Sequence, residues 1–105
     1  MKNVNQADWQ ELIKKDNNAV VVDVRTKGEC AEGIIKNAIM IDFLDVPTFK
    51  SEIEKLDKSK NYYVYCRSGN RSGQACQLLD GLGVNNTFNL TGGMLAWTEK
   101  TEIPL

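Results

Sequence analysis

The sequence predicts an α/β fold built on a mostly parallel sheet. Short β-branched or aromatic runs alternate with stretches at helical spacing along the 105 residues, the order expected of βαβ units. One run, Ala19 to Val24, is almost continuously β-branched, as in a strand covered on both faces. No repeat, low-complexity segment or linker interrupts the chain, so residues 1–105 read as a single domain. Crossovers between parallel strands should then be right-handed.

The elements follow in order. Trp9, Leu12 and Ile13 stand at i, i+3 and i+4 and predict a first helix from about Gln6 to Lys15. Asp16-Asn17-Asn18 ends it as a turn. The strand Ala19–Val24 follows, then a short helix or turn from Gly28 to Gly33, then a strand over Ala38–Ile41. Pro47 opens a helix at an N1-like position, with Phe49, Ile53 and Leu56 as its apolar stripe. Asp57-Lys58-Ser59-Lys60 is a charged connector into the run Tyr62–Tyr65, which reads as a buried strand. Gln74 to Leu82 reads as a helix, with Ala75, Leu78, Leu79 and Leu82 at i, i+3, i+4 and i+7 and Gly83 as its C-cap. Thr87–Leu90 is a final strand, and Thr91 is placed to cap a last helix through Trp97.

Composition excludes several functions. Hydrophobic content of 42% and charged content of 26% are those of an ordinary globular domain. A net charge of −1 argues against nucleic acid as a partner. No apolar run approaches a membrane span, so no membrane partner is expected. The first residues lack the apolar core of a signal peptide, and the chain reads as cytoplasmic. Three cysteines without a CxxC pair make neither a disulfide framework nor a metal site, and there is no histidine. No metal or cofactor is expected. Without histidine there is also no Cys-His or Ser-His chemistry. Any nucleophile must be activated by backbone dipoles and cations.

One stretch meets that requirement. Cys66-Arg67-Ser68-Gly69-Asn70-Arg71-Ser72-Gly73 lies between the strand ending at Tyr65 and the helix beginning near Gln74. In such a turn the N–H groups of Ser68, Gly69, Asn70 and their neighbours can converge on one point as an anion cradle, reinforced by the helix dipole. A thiolate at Cys66 is stabilised there and is a ready nucleophile. Arg67 and Arg71 add two cations, read as binding an anionic substrate, and Ser72 enters the helix beside them.

This loop resembles the active-site loop of the rhodanese family of sulfurtransferases. Val20-Val21-Val22-Asp23-Val24-Arg25 with Glu29 and Gly33 is similar to the family's Asp-Val-Arg and Glu-x-x-x-Gly pattern. Leu90-Thr91-Gly92-Gly93-Met94-Leu95-Ala96-Trp97 is similar to its Gly-Gly-x-x-x-Trp signature. The matches run in order from Val20 to Trp97. The resemblance implies a five-stranded sheet with helices on both faces, and a persulfide on Cys66 with no cofactor. It implies a small anionic sulfur donor such as thiosulfate, and cyanide, a thiol or a protein as sulfur acceptor. Family members commonly read Gly-His-Ile-Pro-Gly-Ala where this chain has Gly33-Ile34-Ile35-Lys36-Asn37-Ala38, so the turn into the third strand should differ.

The other marked residues have plainer readings. Cys76 lies on the apolar side of its helix and reads as core, as does Cys30. Asp23 is expected to accept N–H bonds from its own loop, and Arg25 to pair with Glu29. Gly92, Gly93 and Trp97 read as structural. Two alternatives stand beside sulfur transfer. One is a phosphatase or arsenate-reductase-like enzyme, which the resemblance implies needs one more residue between cysteine and arginine than the four here. The other is a non-catalytic binding or regulatory domain.

Overall fold

Side chains alternate with period two along the central strands, and this decides how the layers stack. A computed structural model describes residues 1–104. Its elements are β1 Lys2–Val4, α1 Gln6–Lys14, β2 Ala19–Asp23, α2 Lys27–Cys30, β3 Ile39–Met40, α3 Val46–Glu54, β4 Asn61–Tyr65, α4 Asn70–Gly81, β5 Asn86–Leu90 and α5 Gly93–Ala96. The five strands form one sheet in the order β1-β5-β4-β2-β3, and every pairing is parallel.

Val22, Val24, Tyr62, Val64 and Cys66 point to one face, where Phe49 and Ile53 of α3 and Ala75, Cys76 and Leu79 of α4 cover them. Val21, Tyr63, Tyr65 and Leu90 point to the other, against Trp9 and Ile13 of α1 and Met94 and Trp97 near the C-terminus. Trp9 is fully buried, edge-on to Tyr63 and Tyr65, and truncating such a side chain costs about 3–5 kcal/mol.

Four boundaries differ from the expectation. The sheet gains β1, whose sequence Lys-Asn-Val carries no apolar alternation; pairing with β5 and packing of Val4 on the core hold it. The strand expected over Ala38–Ile41 is reduced to two exposed residues at the sheet edge. The helix expected from Gln74 begins at Asn70, so half of the candidate loop is its first turn. The last helix is capped by Gly92 in the left-handed region, and the Thr91 hydroxyl bonds to the Val4 carbonyl instead. In the segment where the sequence departs from the family pattern, Asn37 makes the turn at φ 67°, a conformation asparagine tolerates better than most residues.

Candidate active site

β4 and α4 place Cys66, the candidate nucleophile. β4 ends at Tyr65, Cys66 follows on the face covered by α4, and Gly69 turns the chain at φ 103° into that helix. A side chain in this left-handed conformation is strained, and glycine avoids the penalty. The turn brings the Gly69 N–H to 3.1 Å from Cys66 Sγ, and the Ser72 hydroxyl oxygen to 3.3 Å. Burial pushes the Cys66 thiol up, but the Ser72 hydroxyl and then the N–H groups of Ser72, Gly69 and Ser68 outweigh it, and the net shift is downward. Backbone N–H groups and one hydroxyl thus favour the Cys66 thiolate without a histidine. Cys66 is itself fully buried, so whatever reaches its sulfur must be small or must meet a loop that gives way.

A glycine pair closes the loop from behind. The N–H groups of Met94 and Leu95 donate to the carbonyls of Cys66 and Arg67 at 3.0 Å each. That approach is possible only because residue 93 has no side chain: a Cβ there would stand 2.5 Å from the Cys66 carbonyl oxygen and 2.6 Å from that of Arg67. The Gly92-Gly93 pair, read from sequence as merely structural, therefore holds the backbone of the nucleophile loop.

The two arginines part company. Arg71 donates two parallel bonds to Glu29, Nη1 to Oε1 at 2.7 Å and Nη2 to Oε2 at 2.9 Å. It is a brace between α4 and α2, not a free cation. The expected Arg25–Glu29 pair does not form. Arg25 is taken by the buried Asp23 carboxylate at 2.7 Å and by the Gly33 carbonyl at 2.7 Å, and it reaches only the backbone oxygen of Glu29. Two residues apart on a strand end, Asp23 and Arg25 share one face, while Arg71 on the facing helix turn is better aimed at Glu29. Asp23 also accepts the Arg25 N–H, as expected of it. Arg67 is exposed, makes no ion pair among the described residues, and lines a cavity of about 530 Å³ with Glu29, Glu32, Met94 and Leu95.

Ser68 contributes its N–H to the sulfur and is otherwise exposed. Asn70 is exposed at the helix start, and its side chain accepts from Gln74 at 3.4 Å. Cys30 and Cys76 are buried and pushed up to about 12, burial being the first cause for each. Among the described residues no group of three or more Cys, Asp or Glu side chains is placed to hold a metal ion, and no helix is long and apolar enough to cross a membrane.

One residue of the site escaped the sequence reading. Asn89 is buried on β5 and accepts from the Ser72 hydroxyl at 2.5 Å while its own amide donates to the Gly69 carbonyl at 3.1 Å. The available signal was parity. Phe88 and Leu90 face one core, so Asn89 must face the other, where a strand otherwise places apolar side chains.

Comparison with known proteins identifies the family. The family model described as "Rhodanese-like domain" matches residues 6–100. The chain belongs to the rhodanese-like domain family. Among its relatives is the Bacillus subtilis protein named "Putative sulfurtransferase YtwF", 40% identical over 97% of this chain and 95% of that protein. A "Sulfurtransferase" of Allochromatium vinosum is 37% identical over 90% of this chain and 88% of its own length. A tRNA uridine(34) hydroxylase of Rickettsia rickettsii is 32% identical, but the match spans only 39% of that longer protein. The crystal structure of a rhodanese-like domain protein from Staphylococcus aureus superposes with a TM-score of 0.85 at 31% identity, covering all of both chains. The rhodanese-like fold, with its five-stranded parallel sheet between helices, is thus shared with solved relatives.

Proposed function

We propose that this rhodanese-like domain transfers sulfane sulfur through a persulfide on Cys66. The observation that carries the reading is the Cys66 sulfur at a strand end, held by the Gly69 N–H and the Ser72 hydroxyl with its thiol shifted downward. The Cys66 thiolate attacks the outer sulfur of a donor such as thiosulfate. A new S–S bond forms on Cys66, the donor's S–S bond breaks, and sulfite leaves with the electron pair. An acceptor nucleophile, cyanide or a thiolate, then attacks the outer sulfur of the persulfide and returns Cys66 as thiolate. No proton transfer is needed in either displacement, which suits a chain without histidine. The loop N–H groups stabilise the charge as it moves outward by one sulfur.

The buried sulfur favours a small donor, and the exposed Arg67 at the cavity rim favours an anionic one. The phosphatase reading is weakened by Arg71, whose charge is already paired with Glu29 on two bonds. The deciding experiment is mass spectrometry after thiosulfate treatment. The expected result is one added sulfur, on Cys66 and absent from Cys66→Ser. A protein that takes up no sulfur, yet folds, would favour the binding-domain reading.

A further inference from the structure

The Ser72 hydroxyl faces two acceptors with one proton. Its oxygen lies 3.3 Å from Cys66 Sγ and 2.5 Å from Asn89 Oδ1, and a serine donates once. The orientation of Asn89 is not free. Its Nδ2 donates to the Gly69 backbone carbonyl at 3.1 Å and to Asn3 Oδ1 of β1 at 2.9 Å. A backbone carbonyl only accepts, so the amide nitrogen must face Gly69, and Oδ1 must face Ser72. In the arrangement seen here, with the two oxygens 2.5 Å apart, the hydroxyl proton lies between them. All three groups are buried, so no solvent competes for that proton.

We propose that Asn89 is a positioning residue of the sulfur-transfer cycle, serving as the resting acceptor for the Ser72 proton whenever Cys66 does not carry a bare thiolate. With Cys66 as a thiol, the chain runs Sγ–H to Ser72 Oγ, and Ser72 O–H to Asn89 Oδ1. When the thiol proton leaves, the Ser72 hydroxyl rotates about its C–O bond and donates to the thiolate. When the thiolate takes up a sulfur, its charge moves to the outer atom, and the hydroxyl turns back to Asn89. The proton never leaves Oγ; only its direction changes. Ser72 is thereby satisfied in every state, and the thiolate receives its hydroxyl bond only while it is the nucleophile. The same Asn89 amide pins the carbonyl of Gly69, whose N–H is the other donor to the sulfur.

This inference rests on the reading of Cys66 as nucleophile, but its test needs no sulfur donor, so the two can fail separately. The test measures the pH midpoint of Cys66 alkylation in the parent, Ser72→Ala, Asn89→Asp and the double variant. The Asn89→Asp substitution is nearly isosteric and supplies a charged oxygen that keeps the Ser72 proton. It also removes the amide donor to Gly69 and Asn3, a change common to both members of the Asn89→Asp pair and so absent from the comparison within that pair. The other ionisable groups coupled to Cys66 are Arg71, itself paired with Glu29 and near Asp42, and the thiol of Cys76; all are unchanged in the series. In the parent, Ser72→Ala should raise the midpoint by roughly one pH unit, the loss of one hydrogen bond to an anion. In the Asn89→Asp background the same substitution should move it little, because the carboxylate already holds the hydroxyl. Equal upward shifts in both backgrounds would overturn the proposal. So would a parent midpoint indifferent to Ser72→Ala.

Discussion

Arg71 and Glu29 form a two-bond pair, at 2.7 and 2.9 Å, that ties the first turn of α4 to α2 across the mouth of the nucleophile loop. Both side chains are largely but not wholly covered, at 21% and 27% exposed. The pair brings the Glu29 carboxyl down to about 2, the Arg71 bonds being the first cause. A depressed carboxyl contributes stability that is full above its ordinary value of 4.5 and lost as pH falls towards about 2.

Arg71→Ala should therefore destabilise the fold by about 1–3 kcal/mol at neutral pH, after allowing for screening at a partly exposed pair. The deficit should shrink as pH falls from 4.5 to about 2, where the parent loses the same pair. Denaturant unfolding of parent and variant at the two ends of this range checks it. Turnover should fall equally for anionic and neutral donors, since the arginine shapes the loop. A loss confined to anionic donors would return Arg71 to the substrate.

Arg67→Ala should behave the other way. Arg67 stands exposed at the cavity rim with no ion-pair partner among the described residues. Its removal should leave stability unchanged and weaken thiosulfate use by roughly tenfold relative to a neutral persulfide donor, an effect that added salt diminishes. Paired kinetics with the two donors, at low and high salt, separate the arginines.

Gly93→Ala should cost activity well beyond its cost in stability. A Cβ at residue 93 meets the carbonyl oxygens of Cys66 and Arg67 at 2.5 and 2.6 Å, and backbone cannot step aside as a side-chain tip can. The φ of 52° adds strain for any L side chain. The Cys66–Arg67 peptide must shift, and the N–H groups aimed at the sulfur shift with it. The expected readout is slower alkylation of Cys66 at pH 7 in a protein that still unfolds cooperatively. Unchanged alkylation would show that the loop tolerates the displacement.

What the sequence made legible follows from where the physics is local. Unbroken β-branched or aromatic runs placed β2 and β4, and helical stripes placed α1 and α3, because burial on a regular element leaves its mark in the chain. The loop around Cys66 was legible for a related reason: an Arg-Ser-Gly-Asn-Arg-Ser-Gly run suits neither strand nor core. β1 was not, since its three residues are placed by pairing with β5, eighty-odd residues away in sequence. Partner choice among charges was equally invisible. Spacing brought Arg25 and Glu29 together, whereas the fold gave Asp23 to the first and Arg71 to the second. Asn89 was hidden because a lone polar residue in a strand has meaning only once the helix opposite it is known.

The three thiols should separate cleanly in reactivity. Cys66 is shifted downward by the hydroxyl and N–H groups around it, against the push of its burial. Burial raises Cys30 and Cys76 from 9.0 to about 12. At pH 7 to 8 a small alkylating reagent should modify one thiol per folded chain, at Cys66, and all three after unfolding. The Cys66→Ser variant should show no fast thiol and an unchanged fold, because the hydroxyl is nearly isosteric and far less nucleophilic. Linkage gives the other two a signature in alkali. Groups whose folded values are raised contribute stability that is full below their unfolded value near 9 and lost as pH climbs towards 12. Cys76→Ser should accordingly flatten the fall in stability over that window, while costing about 1–3 kcal/mol at neutral pH if its new hydroxyl finds no partner in the core. Loss of sulfur transfer without loss of stability in Cys76→Ser would instead give this thiol a part in the cycle, resolving the persulfide formed beside it.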